Sequence, residues 1–305
     1  MIKKLEDLVE KAQKQKKMKL AVAVAQDKDI LISVAEAQRM GIIHAILIGD
    51  KDKILTISDE LNIELDGAEI VDVLDIAEAA AKAVKMVSEG KADFLMKGSV
   101  DTSILLKAVL DKEFGLRTGR LLSHIMLYEM SNYHKLLFLT DGGMNIQPDL
   151  EAKKTIIKNA IIAAKALGNP EVKIACLAAK EKVSKKMQAT VDGAELKQAA
   201  QEGLFGVGVT VEGPIAFDLA VSKAAAEIKG YTSPVVGETD IILVPTIEVG
   251  NGIGKALTYM ASAKSAGVIM GAKVPVVLTS RADSSETKLY SIALGSVITA
   301  NQRNI

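Results

Sequence analysis

Tryptophan is absent from the 305 residues, aromatic side chains make up only 3% of them, and there is a single cysteine. With so few flat rings the chain has no material for the stacked platforms that hold single-stranded nucleic acid. Its core has to be assembled from Ala, Val, Ile and Leu. The lone cysteine, Cys176, excludes an intramolecular disulfide framework. Inside the apolar run 172–179 it reads as a small buried hydrophobe, with a reactive thiol as the alternative. An excess of one charge is lacking as well: Lys plus Arg and Asp plus Glu number 38 each, so no global field draws the chain to DNA or to an anionic membrane. The lysines of 11–19 fall on a helical pattern set by Leu5, Leu8, Val9 and Ala12 and read as a solvated helix face. No apolar window approaches the ~20 residues that span a bilayer, and the opening MIKKLEDLVEKAQ carries acids where a signal peptide is apolar. A cytoplasmic chain with no nucleic-acid or membrane partner is expected. The three histidines, His44, His124 and His134, show no metal-ligand spacing, and His124 reads as a core histidine. No Gly-x-Ser-x-Gly elbow supports a hydrolase triad.

What is present is a regular alternation of amphipathic helical patterns with short apolar runs, which predicts an α/β fold of mostly parallel sheets flanked by helices. The length suits two medium domains. Helices are expected over 2–17, 29–40, 51–61, 76–89, 104–110, 150–167, 181–202, 215–229, 253–266 and 284–300. Strands are expected over 20–25, 45–48, 70–74, 93–97, 121–130, 135–140, 172–177, 207–211, 241–244 and 274–278. The pattern restarts near 140–148 without a flexible linker.

Three strand-to-helix junctions carry candidate chemistry, because ligands in open parallel sheets bind outside the carboxyl ends of the strands. The run 274–278 delivers Ser280 and Arg281, a hydroxyl and a fork of donors suited to phosphate or carboxylate. The alternative is an ordinary helix start, with Asp283 and Glu286 forming a capping box. Lys97-Gly98-Ser99 follows 93–97, and its backbone N–H groups and the next helix N-terminus would face an anion. Gly250-Asn251-Gly252-Ile253-Gly254-Lys255 follows 241–244 and is expected to be a glycine turn opening a helix at Ile253. It matches neither the P-loop nor the dinucleotide fingerprint, which leaves a simpler phosphate or a space-saving turn. Arg117 and Arg120 of GLRTGR, and the acids Glu212 and Asp218, are weaker candidates of the same kind.

Five segments, in order, carry a resemblance: FLMKGSVDTSILLKAVL from Phe94, FLTDGGMNIQPDLEAKKTIIKNA from Phe138, VEGPIAFDLAVS from Val211, TDIILVPTIEVGNGIGKAL from Thr239 and VVLTSRADSSETKLYSIAL from Val276. Together they resemble the phosphate acetyltransferase and phosphate butyryltransferase family over nearly the whole chain, and DGGMN and VEGPIAFD look more like its butyryl branch. The resemblance implies a two-domain fold like that of the isocitrate and isopropylmalate dehydrogenases, with the active cleft between domains. The last helix would return to the first domain, giving 1–140 plus about 282–305 and 141–281. It implies reversible transfer of a short-chain acyl group, butyryl, between coenzyme A and inorganic phosphate. Coenzyme A would be substrate and product, no cofactor would be tightly bound, and the protein would form a homo-oligomer. Ser280 and Arg281 resemble the serine that steadies the oxyanion and the arginine that binds phosphate. Lys97, Gly98, Ser99, Asn251 and Gly252 would contribute to substrate binding. Lys107 stands where the family has another arginine, keeping charge but losing bidentate geometry. The acetyl branch has an aspartate six residues after the phosphate-binding arginine, proposed to take the thiol proton. That position is Thr287 here, so Asp283 and Glu286 are the nearby acids left for the role. Phosphate acetyltransferase activity, a catalytically silent acyl-CoA-binding or regulatory protein, and a decarboxylating dehydrogenase on the same fold are the alternatives.

Overall fold

The computed structural model describes residues 2–280 and 282–303. Among them, in chain order, lie α1 (Leu5–Lys14), β1 (Met18–Ala23), α2 (Lys28–Arg39), β2 (Ile43–Gly49), α3 (Lys51–Glu60), β3 (Glu69–Asp72), α4 (Ile76–Ser88), β4 (Phe94–Lys97) and α5 (Thr102–Val109). β5 (Ser123–Glu129), β6 (Leu137–Thr140), α6 (Leu150–Ala166), β7 (Val172–Leu177), α7 (Gln188–Gln201), β8 (Val209–Ile215), α8 (Phe217–Val221) and α9 (Lys223–Lys229) follow. The chain closes with β9 (Ile241–Leu243), α10 (Ile247–Met260), β10 (Lys264–Met270), β11 (Val276–Val277) and α11 (Ser285–Arg303). No described helix is long and apolar enough to cross a membrane.

Aspartate starts many of these helices. Asp27, Asp50, Asp75 and Asp149 stand in extended conformation just before α2, α3, α4 and α6, and each accepts the N–H three residues on at 2.8–3.1 Å. Each such cap satisfies a backbone donor that the helix leaves open, worth about 1 kcal/mol.

The chain divides into two compact units, 6–120 with 266–305 and 1–5 with 121–265. The changeovers therefore fall at 5/6, 120/121 and 265/266, whereas the sequence expectation placed them at 140/141 and about 281/282. In the first unit the strand order is β3-β2-β1-β4-β11-β10. Every neighbouring pair is parallel except β10–β11. β1 and β4 bury nearly every side chain, as strands covered on both faces do. α11 packs on β4, β11 and α2. Gly295 marks its closest approach, where a Cβ would lie 2.8 Å from Val277 Cγ2 and 2.9 Å from Phe94 Cε2.

In the second unit the order is β5-β6-β9-β7-β8, antiparallel between β5 and β6 and parallel beyond. Its core comprises Tyr128, Leu137, Leu139, Leu177, Ile242 and Val244, with Ala175, Ile215, Leu219 and Val235 forming a neighbouring cluster under α8 and α9.

Several element expectations are corrected, among them helix 215–229, which is two short helices, α8 and α9, separated by Ser222 in extended conformation. Helix 181–202 begins only at Gln188, because Thr190 Oγ1 accepts Ser184 N at 2.8 Å and donates to backbone oxygens nearby, holding the preceding residues in a turn. Strand 207–211 lies at 209–215 and runs through Gly213-Pro214. Strand β10 occupies 264–270, whose first residues fall within the helix expected over 253–266. The helix expected at 253–266 is α10, running 247–260. The glycines 250, 252 and 254 are thus inside a helix and open nothing.

Two of those glycines are explained by contact. A Cβ on Gly250 would lie 2.6 Å from Gly142 Cα and 2.8 Å from Val244 Cγ2, and one on Gly254 would lie 2.6 Å from the Tyr128 hydroxyl. Spaced four apart, they share one helix face and let α10 lie directly on the 141–145 turn and β5. That turn is held by Asp141, 2% exposed. Its carboxylate accepts Gly143 N, Met144 N, His124 N and Asn145 Nδ2 at 2.6–3.1 Å. Gly252 is exposed and would meet nothing within 4 Å. Opposite effects are therefore expected within one helix. Gly252→Ala should stabilise by about 0.5–1 kcal/mol through helix propensity, whereas Gly250→Ala should destabilise by about 1–3 kcal/mol through overpacking. Thermal and urea melts of the two variants check the sign.

Candidate functional site

In the first unit the carboxyl ends of β1, β4 and β11 lie side by side, since β4 is parallel to both neighbours. β1 is followed directly by Val24, whose φ of 61° is rare for a β-branched residue. This conformation turns the Ala23 and Val24 carbonyls toward β4's exit, where Gly98 N donates to Ala23 O at 2.8 Å and Ser99 N to Val24 O at 2.7 Å. A Cβ on residue 98 would lie 2.1 Å from the Val24 oxygen, so only glycine fits. The expectation that these two N–H groups face an anion is corrected: both are spent on β1. The Ser99 hydroxyl makes no hydrogen bond among the described residues. Lys97 is 7% exposed with Nζ 3.4 Å from Gly98 O. Lys107 is exposed on the last turn of α5, roughly 7 Å along the axis from its start at 1.5 Å per residue.

Beyond β11 the chain passes through Leu278 and Thr279 to Ser280, which is exposed. Arg281 lies outside the described residues. Ser280 and Asp283 close on each other twice: Ser280 N donates to Asp283 Oδ2 at 2.7 Å, and Asp283 N donates to Ser280 O at 3.1 Å. Ser280 Oγ accepts Ala282 N at 3.3 Å, which leaves its proton to donate elsewhere. The expected capping box of Asp283 and Glu286 is corrected. Ser284 caps α11, its Oγ accepting Thr287 N at 3.2 Å, because Asp283 is engaged by Ser280. Glu286, also exposed, accepts the Tyr290 hydroxyl at 3.1 Å, and Glu6 of α1 lies 3.3 Å from the same hydroxyl. The two candidate acids are therefore held differently, Asp283 in the serine turn and Glu286 against tyrosine.

Asn251 and Gly252, in the second unit, are exposed on the second turn of α10. They form no glycine turn, and no backbone cradle of the expected kind exists there. Arg117 and Arg120 are exposed. Glu212, 5% exposed, is paired with Lys197 at 2.7 Å, and Asp218 with Lys229 at 2.7 Å. No group of three or more His, Cys, Asp or Glu that could hold a metal ion occurs among the described residues.

Sequence reasoning missed Lys288, 3% exposed, whose Nζ donates to the Asp283 main-chain oxygen. A signal existed: Lys288 stands three and seven residues before Ser291 and Gly295, on the face of α11 turned to the sheet. It also missed Val24, for which a valine before Ala25-Gln26 gives no signal of left-handed backbone.

Cys176 is buried, and burial pushes its thiol up to about 12, with Glu212 and Asp192 adding to the shift and Lys153 opposing it. The thiolate that would act as a nucleophile is therefore not populated at neutral pH. Iodoacetamide at pH 8 should leave the native protein unlabelled while the urea-unfolded chain takes one equivalent, as intact-mass measurement would reveal.

The family model described as phosphate acetyl/butaryl transferase matches residues 4–78 and 73–296. The chain is 43% identical over 302 residues to a phosphate butyryltransferase of Clostridium acetobutylicum, covering 99% of this chain and 100% of that protein. It is also 43% identical over 293 residues to a phosphate acetyltransferase of Thermotoga maritima, covering 96% and 99%. Among solved structures, a branched-chain phosphotransacylase from Enterococcus faecalis superposes with a TM-score of 0.81 at 35% identity, over 92% of this chain and 99% of that one.

Proposed function

The chain belongs to the phosphate acetyl/butaryl transferase family, and on that premise we propose that it moves a short-chain acyl group reversibly between coenzyme A and inorganic phosphate. A phosphate oxygen attacks the thioester carbonyl, and the tetrahedral centre collapses with cleavage of the C–S bond. Acyl phosphate and coenzyme A result. Coenzyme A is substrate and product, and the reading calls for no tightly bound cofactor. We read butyryl as the acyl group from the DGGMN and VEGPIAFD wording, since overall identity is 43% to a relative of each branch. We also read the fold as akin to the isocitrate and isopropylmalate dehydrogenases, with α11 returning to the first unit's sheet as support. A cytoplasmic homo-oligomer completes the proposal.

The observation that carries the site reading is the Ser280–Asp283 turn. It holds a hydroxyl whose proton is not needed for the turn, and beside it a carboxylate fixed through one oxygen. Ser280 would donate to the developing oxyanion. Asp283 would take the thiol proton when coenzyme A attacks acyl phosphate and return it in the other direction. Glu286 is the less suited acid, since its Oε1 accepts from Tyr290. Arg281 is assigned to the phosphate as a bidentate donor, and Lys97, Ser99 and Lys107 to the anionic parts of the substrates. Gly98 serves by letting the β4 exit approach β1. Asn251 and Gly252 remain proposed contacts for coenzyme A from α10.

Butyryl-CoA and phosphate should release free thiol with the purified protein, and no release with any acyl-CoA from acetyl to hexanoyl would end the proposal. A rate highest with acetyl-CoA would retain the reaction and overturn the butyryl assignment. Ser280→Ala should lower turnover by about 100- to 1000-fold without shifting Tm. In the direction in which coenzyme A attacks butyryl phosphate, Asp283→Asn should lower kcat by about 100-fold or more, while Glu286→Gln should leave it unchanged. The reverse pattern would transfer the proton to Glu286.

A further inference from the structure

Lys288 is buried at 3% exposure on a helix whose neighbouring turns bury apolar residues. Its ammonium reaches no carboxylate among the described residues. The acceptor it does reach is the main-chain oxygen of Asp283, and two of its three N–H donors find no partner among the described residues. Removing an ammonium from water with so little compensation is costly. Leucine or methionine would fill the same space without that cost, so packing alone does not account for a lysine.

Its place in the fold suggests what the charge is for. Gly295 fixes where α11 lies against Val277 and Phe94. Lys288 precedes it by seven residues on the same face, about 10 Å nearer the helix start at 1.5 Å per residue. It is thus at the end of α11 that follows the carboxyl end of β11. The ammonium grips the Asp283 carbonyl, the Asp283 carboxylate and N–H grip Ser280 from both sides, and Ser284 ties the next residue into the helix. Force applied at Lys288 is transmitted to Ser280 through one residue.

We propose that Lys288 is a positioning residue for the reaction: its buried ammonium, through the Asp283 carbonyl, locks the 280–283 turn and so aims the Ser280 hydroxyl. The proposal rests on the acyl-transfer role assigned to Ser280. Its structural half is independent of that role, because the turn is held whether or not the protein turns over.

Lys288→Met, which keeps the volume and loses the donor, tests both halves. Hydrogen exchange followed by mass spectrometry should speed up at least 10-fold for the peptide spanning 278–286 and stay unchanged for 290–302. Unchanged exchange at 278–286 overturns the proposal even if the protein transfers no acyl group. In the acyl-transfer assay kcat should fall about 10-fold or more with KM for butyryl-CoA within twofold. Combined with Ser280→Ala it should add little to the loss from Ser280→Ala alone. Losses that multiply in the double variant, or an unaltered kcat, overturn the positioning role, because Lys288 would then act independently of Ser280 or not at all. If Lys288→Met does not fold, Lys288→Gln carries the same measurements. It keeps an N–H donor without the charge, and its expected defect is smaller but still non-additive with Ser280→Ala. An absence of thiol release by the unaltered protein would instead reject the acyl-transfer reading and leave the exchange result to judge the turn.

Discussion

The approach of two strand ends without an intervening Cβ is the constraint on which the first unit's candidate site depends. Val24 sits in left-handed backbone, φ 61°, which costs an L-residue about 1–2 kcal/mol and a β-branched one more. In exchange its carbonyl and that of Ala23 take the N–H groups of Ser99 and Gly98 at 2.7 and 2.8 Å. Two net backbone hydrogen bonds of about 1 kcal/mol each are of the same size as the strain. The balance holds only while residue 98 carries no side chain, because a methyl group would lie 2.1 Å from the Val24 oxygen. With β1 and β4 locked at this level, β11 can add in parallel through Val276 and Val277, and the following residues must emerge beside Lys97.

The second unit solves a related problem with helix glycines. Three glycines in α10 cost roughly 3 kcal/mol of helix propensity relative to alanine. Gly250 and Gly254 offset their share by letting the helix reach the Gly142 backbone and Tyr128. The surface they reach is firm because the buried Asp141 carboxylate gathers backbone donors from both sides of the turn. Gly252 meets none of these neighbours, and nothing in the unit's packing accounts for it.

These two uses of glycine also mark where the sequence could and could not be read. Helices with an Asp cap and a clear apolar stripe, such as α4 and α6, lie within a residue of their expected limits. The buried strands β4 and β7 do too, since a short continuous apolar run admits little else. In α10 the local signal pointed the other way: glycine is a poor helix former, and only contacts with Gly142 and Tyr128, more than a hundred residues away in sequence, make it the required residue. β10 escapes the pattern for a similar reason: its Lys-Ser-Ala start continues a helical composition, and the pairing of Val268 and Ile269 with β11 lies beyond that start. At the site, residue types were legible and their commitments were not. Gly98 and Ser99 looked like anion donors because sequence does not say that their N–H groups end on β1. Lys288 was overlooked because a single lysine in a helix is ordinary until its burial is known.

The distribution of acids around Ser280 follows from which hydrogen bonds are already made. Thr287 stands where the resemblance puts the acetyl-branch aspartate, and its N–H is held by the Ser284 cap, so this position is built into the helix start and carries no proton acceptor of carboxylate strength. Glu286, one residue earlier, leans on Tyr290, a full turn along the helix, and its exposure gives it water as a competing partner. Asp283 alone shares a closed turn with the serine, and one of its carboxylate oxygens makes no hydrogen bond among the described residues. An acid bound through one oxygen keeps its orientation while the other can exchange a proton. The proposed reading moves the acid from 287 to 283, off the helix and into the turn, where its geometry depends on whatever fixes the Asp283 backbone. In that reading the buried Lys288 ammonium, which donates to the Asp283 main-chain oxygen, is the group that does so, and a lysine on a helix face shared with Ser291 and Gly295 becomes the counterpart of an aspartate missing one residue before it.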